Sequence, residues 1–432
     1  MLKSKVFKGK KFIILGMGIS GQSVYNSLSK SSAIVSFWDD NFKVRNSLKT
    51  KGYNICGAKE IKQAEYIIPS PGIKLNGAQA HPLIKKAKVN KIKLISELDL
   101  FQNYLNQKKH PEKIKIIAIT GTNGKSTLVS LLNFIIKKNQ KTTVLAGNIG
   151  KPIFNSKPIE SGIIILELSS YQLEITKSFK PDIACIINLS IDHIDRHGTF
   201  KKYADAKSNI FQNLDKDQFG LCCSNNTLRQ IINKKYREKK DRIEYVNIPP
   251  KTILDIKNND QIDNEKFTYA VNILNRLNIG KKQFLNNIKS FRGLPFRTEV
   301  ILAKNNLKII NDSKSTNFDS LIYALSKYEN AILICGGILK DKKFKVLDKH
   351  LKKVKKIYVF GEKTKPWSRY FSKIKPTISV RTLDDIVPKI SEDLKKGKYQ
   401  NILFSPGASS FDQYQNFEDR GNHFNKLFRR LI

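Results

Sequence analysis

Residues 114–127 read IKIIAITGTNGKST: an apolar run, a glycine-rich turn, and then Lys125, Ser126 and Thr127. The apolar run predicts a buried strand, and the residues after the turn predict the start of a helix. A strand that enters such a turn directs backbone N–H groups and a helix N-terminus toward one point, which attracts phosphate. Lys125 would neutralise the β- and γ-phosphates of a nucleotide, and a hydroxyl of Ser126 or Thr127 would reach Mg²⁺. The stretch therefore predicts that the chain binds ATP.

The loop differs in spacing from the common phosphate-loop motif G-x-x-x-x-G-K-[ST]. Ile119 occupies the position of the first glycine in that motif, and the turn reads TGTNGKS. A chance glycine-rich turn is the alternative interpretation, but strand, turn, lysine, hydroxyls and helix follow one another in the order that a phosphate loop requires. The expected nucleotide-binding residues of the turn itself are Gly121, Thr122, Asn123 and Gly124.

Length and composition indicate a multidomain protein with well-formed cores. At 432 residues the chain is longer than a typical single domain, and 40% of its residues are hydrophobic. No apolar run is long enough for a transmembrane helix, so we expect no membrane span. The five cysteines lack the spacing of a metal site or a disulfide framework, which is typical of a reducing cytoplasm. We therefore expect a cytoplasmic protein, and a monomer.

The formal net charge of +41 raises the question of nucleic-acid binding. The lysines are spread along the whole chain, often beside Ile and Asn, and aromatic residues do not alternate with them as they do on stacking surfaces. A compositional bias toward Lys, Ile and Asn explains the charge more simply. We therefore expect no nucleic-acid partner, although a basic cleft would favour anionic ligands.

Apolar runs that alternate with helical patterns predict three α/β segments, residues 1–95, 96–293 and 294–432. Within the second segment, the stretch 215–263 is rich in Lys and Asn and irregular. The predicted strands are Lys11–Leu15, Ala33–Trp38, Tyr66–Ile68, Ile114–Ile119, Thr142–Leu145, Gly162–Leu166, Ile183–Asn188, Leu307–Asn311, Ala331–Cys335, Lys356–Phe360 and Asn401–Phe404.

The first segment begins like a Rossmann-type βαβ unit. Its first strand is followed by GMGISG at residues 16–21, and an acidic residue, Asp39, ends the next strand. This pattern predicts a phosphate or sugar ligand at the first turn, but by itself it does not prove a dinucleotide. A second turn, Ser70-Pro71-Gly72, follows the third strand at the same sheet edge, where ligands of open α/β sheets gather.

Glu167 ends an apolar strand in the second segment, and a carboxylate at such a strand end beside a phosphate loop commonly holds a metal ion. An ordinary strand-end glutamate is the alternative. His193 follows another apolar strand in the stretch DHIDRHG, where imidazole and carboxylate suit a second Mg²⁺ or substrate positioning, although a single histidine is usually structural. Lys207 lies on the helix that follows and could point to the same cleft, whereas a solvated lysine is the simpler interpretation.

Three polar loops follow strands of the third segment. They are NDSKSTN at residues 311–317, the Gly336-Gly337 turn with Lys340, and SPGASSFD at residues 405–412. The carboxyl ends of parallel strands meet at one edge of a sheet, so these loops can converge on a single binding site.

The motifs quoted so far resemble the Mur ligase family, and in particular its D-glutamate-adding members. The resemblance spans almost the whole chain, and its motifs occur in family order. They are TGTNGKST, GNIG at 147–150, ELSSYQLE at 167–174, DHIDRHG at 192–198, YADAK at 203–207, GLPFRTE at 293–299, NDSKSTN at 311–317 and SPGASSFDQYQNFEDRGNHF at 405–424. The resemblance implies an α/β protein of three domains: a Rossmann-like N-terminal UDP-binding unit, a central P-loop-type ATPase domain, and a Rossmann-like C-terminal domain that binds the amino acid.

The resemblance also implies the ligands and the site residues. The substrates would be UDP-N-acetylmuramoyl-L-alanine and D-glutamate, and the cofactors would be ATP and two Mg²⁺ ions. The catalytic set would be Lys125, Glu167, His193 and Lys207, and the metal ligands would be Ser126 or Thr127, Glu167, His193 and a carbamylated Lys207. Arg297 and Asp312 would contact ATP. The residues that contact the UDP substrate would be Ile19, Ser20, Asp39, Pro71, Gly72, Asn148 and Ser169. The residues that surround D-glutamate would be Lys314, Thr316, Lys340, Ser410 and Phe417.

The sequence departs from the family pattern at two places. The family often has a His-Asn pair in a G-x-H-N-x-x-N pattern, where the asparagine meets adenine, and the corresponding residues 263–269, DNEKFTY, lack that pair. A basic residue that commonly follows the uridine-pocket aspartate is also absent, because Asp40 and Asn41 follow Asp39.

Three rival functions remain open at this point. A folylpolyglutamate synthetase belongs to the same superfamily, but it begins directly with the ATPase domain and has no Rossmann-like segment before it. An NAD(P)-dependent oxidoreductase would use the GMGISG turn, but it would leave the loop at Lys125 unexplained. A nucleic-acid-stimulated ATPase is suggested only by the charge.

Overall fold

The computed structural model describes residues 2–75, 77, 79–249, 262–339, 343–397 and 399–429. The described residues form two compact units. Residues 2–249 together with 264–291 form the first unit, and residues 262–263 together with 292–429 form the second. The first unit contains two β-sheets and the second contains one.

The N-terminal sheet has four parallel strands in the order β2-β1-β3-β4. The strand β1 is buried over four of its five residues, and it begins the βαβ unit that the glycine turn predicts. The strands are β1 (Lys11–Leu15), β2 (Ile34–Trp38), β3 (Tyr66–Pro69) and β4 (Lys93–Leu94). The helices of this region are α1 (Ile19–Ser29), α2 (Phe42–Thr50), α3 (Ala58–Gln63) and α4 (Pro82–Val89).

The second sheet has six parallel strands in the order β10-β9-β8-β5-β7-β6. The central strands of this sheet are largely apolar and buried, as expected of a parallel sheet that is covered on both faces. The strands are β5 (Ile114–Thr120), β6 (Thr143–Gly147), β7 (Gly162–Glu167), β8 (Ile183–Ile186), β9 (Phe219–Cys223) and β10 (Ile243–Val246). The helices are α5 (Glu97–Leu105), α6 (Lys125–Lys138), α7 (Ser170–Leu173), α8 (Ile194–His197), α9 (Phe200–Ser208), α10 (Asn226–Lys235), α11 (Asn264–Asn275) and α12 (Lys281–Ile288).

The second unit is built on a six-stranded sheet in the order β11-β12-β16-β13-β14-β15. The edge strand β11 pairs antiparallel with β12, and the other pairings are parallel. The strands are β11 (Glu299–Lys304), β12 (Leu307–Asn311), β13 (Ala331–Gly336), β14 (Val354–Phe360), β15 (Thr377–Ser379) and β16 (Asn401–Phe404). The helices are α13 (Phe318–Lys327), α14 (Asp348–Leu351), α15 (Lys365–Phe371), α16 (Val387–Lys396) and α17 (Phe417–Phe428).

The predicted strands are confirmed to within two residues at their ends, and several further strands lie outside the prediction. The prediction carried β8 through Asn188, but the strand ends at Ile186, and the side chain of Asn188 hydrogen-bonds the phosphate loop. The strands β9 and β10 lie in the stretch 215–263, where lysine and asparagine on the surrounding turns and helices obscured two short apolar runs. The domain boundaries at 95/96 and 293/294 remain a prediction.

No helix in the described part of the chain is both long enough and apolar enough to cross a membrane. The helix α6, which follows the phosphate loop, has 14 residues, whereas a membrane-spanning helix needs about 20.

Candidate active site

The phosphate loop connects β5 to α6 at the carboxyl edge of the second sheet. Two of its residues have a left-handed backbone: Gly121 has φ +154° and Gly124 has φ +79°. A Cβ atom on Gly121 would lie 2.6 Å from Ile187, so the position needs glycine for space as well as for conformation. Gly124 is the N-cap of α6, so the helix starts at Lys125, as the sequence predicts.

Asn188 holds this loop from the neighbouring strand end. Its Oδ1 accepts hydrogen bonds from the backbone N–H groups of Thr122 at 3.0 Å and Asn123 at 2.9 Å, and its Nδ2 donates to the Asn123 carbonyl at 3.0 Å. These hydrogen bonds tie the phosphate loop to the residues that follow β8. The sequence interpretation gave Asn188 no role. A polar side chain at the end of an apolar run was the feature that could have indicated one.

Two lysines donate to the same loop. The ammonium of Lys125 donates to the carbonyls of Gly121 and Thr122, each at 2.9 Å. The amine of Lys207 donates to the Gly121 carbonyl at 2.8 Å and to the Thr120 hydroxyl at 3.2 Å. Lys207 is therefore a buried residue that contacts the phosphate loop and not a solvated surface lysine, and its role as a metal ligand stays a prediction.

Lys207 is 1% exposed, and it lies on α9 beneath the loop. Burial lowers its pKa well below the usual value, and the nearby charge of Lys125 lowers it further, while Asp192 and Glu167 oppose this shift. Its Nζ also lies 4.7 Å from the ring centroid of Tyr203, whose hydroxyl hydrogen-bonds Thr122 at 3.1 Å. Burial and the charge of Lys125 therefore both disfavour the charged form of this amine.

Glu167 lies at the end of β7 and is 2% exposed. Its Oε1 accepts a hydrogen bond from Asn148 Nδ2 at 2.9 Å, so the structure brings two of the predicted site residues together. Its Oε2 is buried and has no hydrogen-bond partner among the described residues. A buried carboxylate oxygen in that situation is destabilising unless a cation or a ligand donor is bound, which fits the expected Mg²⁺ site.

The other expected metal ligands lie around the same sheet edge. Ser126 and Thr127 occupy the first turn of α6 and are buried. His193 caps α8 with a left-handed backbone, and its ring contacts the Tyr171 hydroxyl at 2.8 Å and the Asp192 carboxylate at 3.4 Å. Within the described ranges, no group of three His, Cys, Asp or Glu side chains could hold a metal by itself.

Ser169 is the N-cap of α7. Its Oγ accepts from the Gln172 backbone N–H at 3.2 Å and donates to Gln172 Oε1 at 3.0 Å. This gives Ser169 a clear helix-capping role, and its contact with a substrate stays a prediction.

The expected uridine-pocket residues surround the glycine turn after β1. Asp39 closes this turn, because its Oδ2 accepts from the Met17 N–H at 2.7 Å. Ser20 and Pro71 both line one small cavity, whereas Ile19 and Gly72 lie on the exposed surface nearby. The structure thus brings these residues to one edge of the N-terminal sheet.

That cavity extends to the helices beside the second sheet, where it is lined by Glu97 of α5, Gln172 of α7 and Arg196 of α8. Glu97 Oε1 is buried without a partner in the described part of the chain. Burial raises the pKa of Glu97 to about 7, although hydrogen bonds from the Ile153 backbone and the Gln172 side chain partly counter this. The sequence interpretation did not single out Glu97.

In the second unit, Asp312 follows β12 and is 6% exposed. Its carboxylate accepts from the Ser405 hydroxyl at 2.7 Å and from the Thr298 N–H at 3.0 Å. Burial raises its pKa to about 7, and the charge of half-buried Arg297 opposes this. The charge of Arg297 therefore acts on Asp312, and the contact of both residues with ATP stays a prediction.

The predicted amino-acid pocket combines the loops after β12 and β16. The ammonium of Lys314 lies 3.8 Å from the ring centroid of Phe417, a cation–π contact between two predicted pocket residues. Ser410 is buried in the second loop, and Thr316 is half-buried in the first. Lys340, also predicted for this pocket, lies outside the described residues.

Arg420 on α17 joins these two loops and was missed by the sequence interpretation. Its guanidinium donates to the Ser313 hydroxyl at 3.1 Å, to the Ser313 carbonyl at 2.7 Å and to the Ala408 carbonyl at 3.0 Å. Arg420 is 1% exposed. Arg420 lies within the long C-terminal motif at 405–424, but the sequence alone does not show which charged side chain of that motif is buried.

Comparison with known proteins agrees with this geometry. The family model for the Mur ligase middle domain matches residues 119–285, which contain the phosphate loop, Glu167, His193 and Lys207. A UDP-N-acetylmuramoylalanine–D-glutamate ligase of Buchnera aphidicola subsp. Schizaphis graminum is 34% identical, over 98% of each chain. The chain belongs to the Mur ligase family. A second ligase of the same name, from Rickettsia felis, is 30% identical to this Mur ligase over 98% of its chain and 97% of the relative.

Solved structures confirm the three-domain α/β fold of this Mur ligase. MurF ligase from Thermotoga maritima, in complex with ADP, has a TM-score of 0.58 at 16% identity and covers 100% of this chain and 98% of that one. UDP-N-acetylmuramate-alanine ligase MurC from the same organism has a TM-score of 0.56 at 16% identity, with 97% and 99% covered. At these identities the likeness shows the fold alone.

Proposed function

We propose that this Mur ligase uses ATP to join the amino group of D-glutamate to the carboxylate of UDP-N-acetylmuramoyl-L-alanine, a step in peptidoglycan precursor synthesis. The observation that carries the proposal is the convergence of Lys125, Lys207 and the phosphate loop at one sheet edge, inside the region that matches the family. The printed names of its full-length relatives support the two substrates.

The chemistry explains why the site needs cations. A carboxylate does not react with an amine directly, because oxide would have to leave. Transfer of the γ-phosphoryl group of ATP to a carboxylate oxygen breaks the bond between the γ-phosphorus and the bridging oxygen and gives an acyl phosphate and ADP. The amine of D-glutamate then attacks the carbonyl carbon, a proton is lost from nitrogen, and inorganic phosphate leaves. Every reactant is anionic, so Lys125 would reduce the repulsion and orient the transferring group.

The residues at the sheet edge fit a divalent cation. Glu167, Ser126 or Thr127, His193 and a carbamylated Lys207 would hold Mg²⁺, which when bound neutralises charge on the phosphates. The orphaned Oε2 of Glu167 supports this assignment. A carbamate forms when a neutral lysine amine adds to CO₂ and loses a proton. The burial of Lys207 therefore supports the modification, which would replace a cation with an anionic oxygen ligand.

The N-terminal and second-unit residues would bind the two substrates. Ser20, Pro71 and Asp39 surround the glycine turn proposed for the UDP group, and Lys314 and Ser410 would hold the carboxylates of D-glutamate. A grip on both carboxylates places the amine of only one enantiomer toward the acyl phosphate. We expect the reaction to occur in the cytoplasm, by a monomer and without nucleic acid.

The test is release of inorganic phosphate from ATP. We expect turnover only when UDP-N-acetylmuramoyl-L-alanine, D-glutamate and Mg²⁺ are all present, with little rate when either substrate is omitted. L-glutamate should be a poor replacement, and added DNA should not change the rate. Equal rates with a folate substrate, or with meso-diaminopimelate or lysine in place of D-glutamate, would contradict the proposal.

A further inference from the structure

Ser405 is a completely buried serine that directly follows β16, and no predicted role includes it. Asp312 directly follows β12, and the two strands pair in parallel with Asn311 opposite Phe404. The residue that follows each strand therefore stands beside the other at the carboxyl edge of the sheet. The hydroxyl of Ser405 donates to Asp312 Oδ2 at 2.7 Å. The serine thus contacts a residue that we expect at the nucleotide.

The carboxylate of Asp312 is held at both of its oxygens. Oδ2 accepts from Ser405, and Oδ1 accepts from the backbone N–H of Thr298 at 3.0 Å. One donor on each oxygen fixes the plane of the carboxylate, and each oxygen keeps a further lone pair for a ligand. The donor of Thr298 is a backbone group, so Ser405 is the one of the two that a side-chain substitution can remove.

A separate set of contacts joins the two loops that carry these residues. Arg420 donates to the Ser313 carbonyl at 2.7 Å and to the Ala408 carbonyl at 3.0 Å. Ser313 follows Asp312, and Ala408 lies in the same loop as Ser405. Loss of the Ser405 hydroxyl would therefore leave the loops connected, and its effect should fall on Asp312.

We propose that Ser405 is a positioning residue, whose hydroxyl holds the Asp312 carboxylate in the orientation and the ionised form that contact ATP. The inference rests on the proposed function, because it takes Asp312 to contact ATP. Ser405 itself contacts no substrate in this proposal. The alternative is a hydroxyl that only joins two loops.

The charge state of Asp312 gives the proposal a distinct signature. Burial raises the pKa of Asp312 to about 7, and the hydrogen bond from Ser405 opposes this rise because it stabilises the ionised carboxylate. Removal of the hydroxyl should therefore raise the pKa further, so that at pH 7 a smaller fraction of Asp312 is ionised. Groups that also act on Asp312, and that parent and variant share, are Arg297, Lys327, Tyr323 and Arg420.

The first experiment measures phosphate release between pH 6 and pH 9 in the parent, Ser405→Ala, Ser405→Cys and Ser405→Thr. Cys keeps the size of serine but is a weak donor, whereas Thr keeps the hydroxyl. We expect Ala and Cys to raise the KM for ATP at pH 7 by about three- to tenfold, less than the loss of a direct charge-assisted contact. The KM for D-glutamate and kcat should change by less than about twofold.

The pH profile provides a second readout from the same data. In the parent, the KM for ATP should fall as pH rises through about 7, where Asp312 ionises. In Ser405→Ala and Ser405→Cys this fall should move to a pH higher by about one unit. Ser405→Thr should restore most of the parental profile. Ser379→Ala, at the exposed serine that ends β15 of the same sheet, is the matched control.

Urea unfolding tests the contact without any substrate. Ser405→Ala should lower the free energy of unfolding more at pH 8, where Asp312 is ionised, than at pH 6. In an Asp312→Asn background this dependence on pH should vanish, because the titrating partner is gone. The cycle therefore reports whether Ser405 acts through Asp312, whatever the protein's substrates are.

Each outcome has a definite meaning. A parental KM for ATP in Ser405→Ala and Ser405→Cys would overturn the inference, and so would an equal rise in the KM values for ATP and D-glutamate, which indicates a loop contact alone. A parental KM for ATP in Asp312→Asn would defeat the ATP role of Asp312 and the inference with it. If the parent released no phosphate but the unfolding cycle showed coupling, the proposed function would be wrong and the contact real. Thermal unfolding identifies a variant that fails to fold, and the other variant then decides.

Discussion

The side chain of Asn188 is joined twice to Asn123: its Oδ1 accepts from the Asn123 N–H at 2.9 Å, and its Nδ2 donates to the Asn123 carbonyl at 3.0 Å. The same amide reaches Thr122 and Glu265. One side chain beyond the end of a neighbouring strand therefore sets the path of the phosphate loop.

We expect Asn188→Leu, which is similar in size but cannot hydrogen-bond, to raise the KM for ATP by at least about tenfold. The loop N–H groups of Thr122 and Asn123 would lose their acceptor, at a cost to folding of about 1–3 kcal/mol. Urea unfolding measures the stability change, and steady-state kinetics measures KM. Asn188→Asp retains the acceptor oxygens, so its folding stability and its KM for ATP should change less. A parental KM for ATP in Asn188→Leu would contradict the role assigned to Asn188.

Lys125→Ala should lower kcat by about 10³-fold or more, because it removes the cation that stabilises the transferring phosphoryl group. Phosphate release with saturating substrates is the measurement. Lys137→Ala, at an exposed lysine near the other end of α6, should behave like the parent. If Lys125→Ala kept more than about a tenth of the parental rate, the ATP-site assignment would be wrong.

Glu167→Gln should raise the Mg²⁺ concentration needed for half-maximal activity by at least about tenfold, because one carboxylate oxygen of the cation site is lost. A Mg²⁺ titration of phosphate release checks this, and His193→Ala should shift the curve in the same direction. The exposed Glu160 provides the control, Glu160→Gln. Unchanged titrations in both site variants would remove these residues from the metal site.

Lys207→Ala should lose most of the activity, and acetate or another short carboxylate should partly restore it by occupying the vacated oxygen positions. The reason is that a cationic lysine beside Mg²⁺ is unfavourable, whereas a carbamate supplies two anionic oxygens. Lys201→Ala, at an exposed lysine on the same helix α9, is the matched control. Near-parental activity of Lys207→Ala together with no carboxylate effect would exclude the proposed ligand.

The contribution of Glu97 to the free energy of unfolding should fall as pH rises from about 4.5 to about 7. Its pKa in the folded state is raised to about 7 from a usual value of 4.5, so the folded state holds a proton that the unfolded chain has already lost. Above pH 7 this contribution is constant. We expect Glu97→Gln to reduce the fall by about 1–3 kcal/mol, measured by urea unfolding between pH 5 and pH 8.

The exposed Glu238 supplies the control for this pH series, as Glu238→Gln. Because every other titrating group is common to both proteins, the difference between parent and variant isolates Glu97. If the free energy of unfolding changed with pH in parallel for the parent and Glu97→Gln, the pKa of Glu97 would not be raised in the folded protein, and the prediction would be wrong.

The sequence predicted the central architecture well because its strongest signals are local. The apolar run of β5, the glycine turn and the first residues of α6 are contiguous, and hydrophobic pattern and turn chemistry agree there. Glu167 and Lys207 could also be proposed as site residues from the sequence, because one is a carboxylate at a strand end and the other is a lysine in a family motif. Their burial, however, is a tertiary property and could be learned only from the fold.

The residues that were missed act over long sequence separations. Asn188 lies 65 residues from Asn123, and Arg420 lies 107 residues from Ser313, so no local pattern indicates either pairing. The chain has 78 lysines and arginines, so composition gives no reason to single out Arg420.

The buried guanidinium of Arg420 has a thermodynamic consequence for the amino-acid binding that we propose at these loops. Its three hydrogen bonds connect the loop at Ser313 with the loop at Ala408 before any ligand arrives. The conformational entropy of those two loops is therefore lost when the protein folds, and not when the amino acid binds. A small, highly charged ligand has few apolar atoms, so burying them contributes little free energy against the entropy cost of ordering two loops. In a pocket that is already ordered, weak individual contacts can therefore give useful affinity.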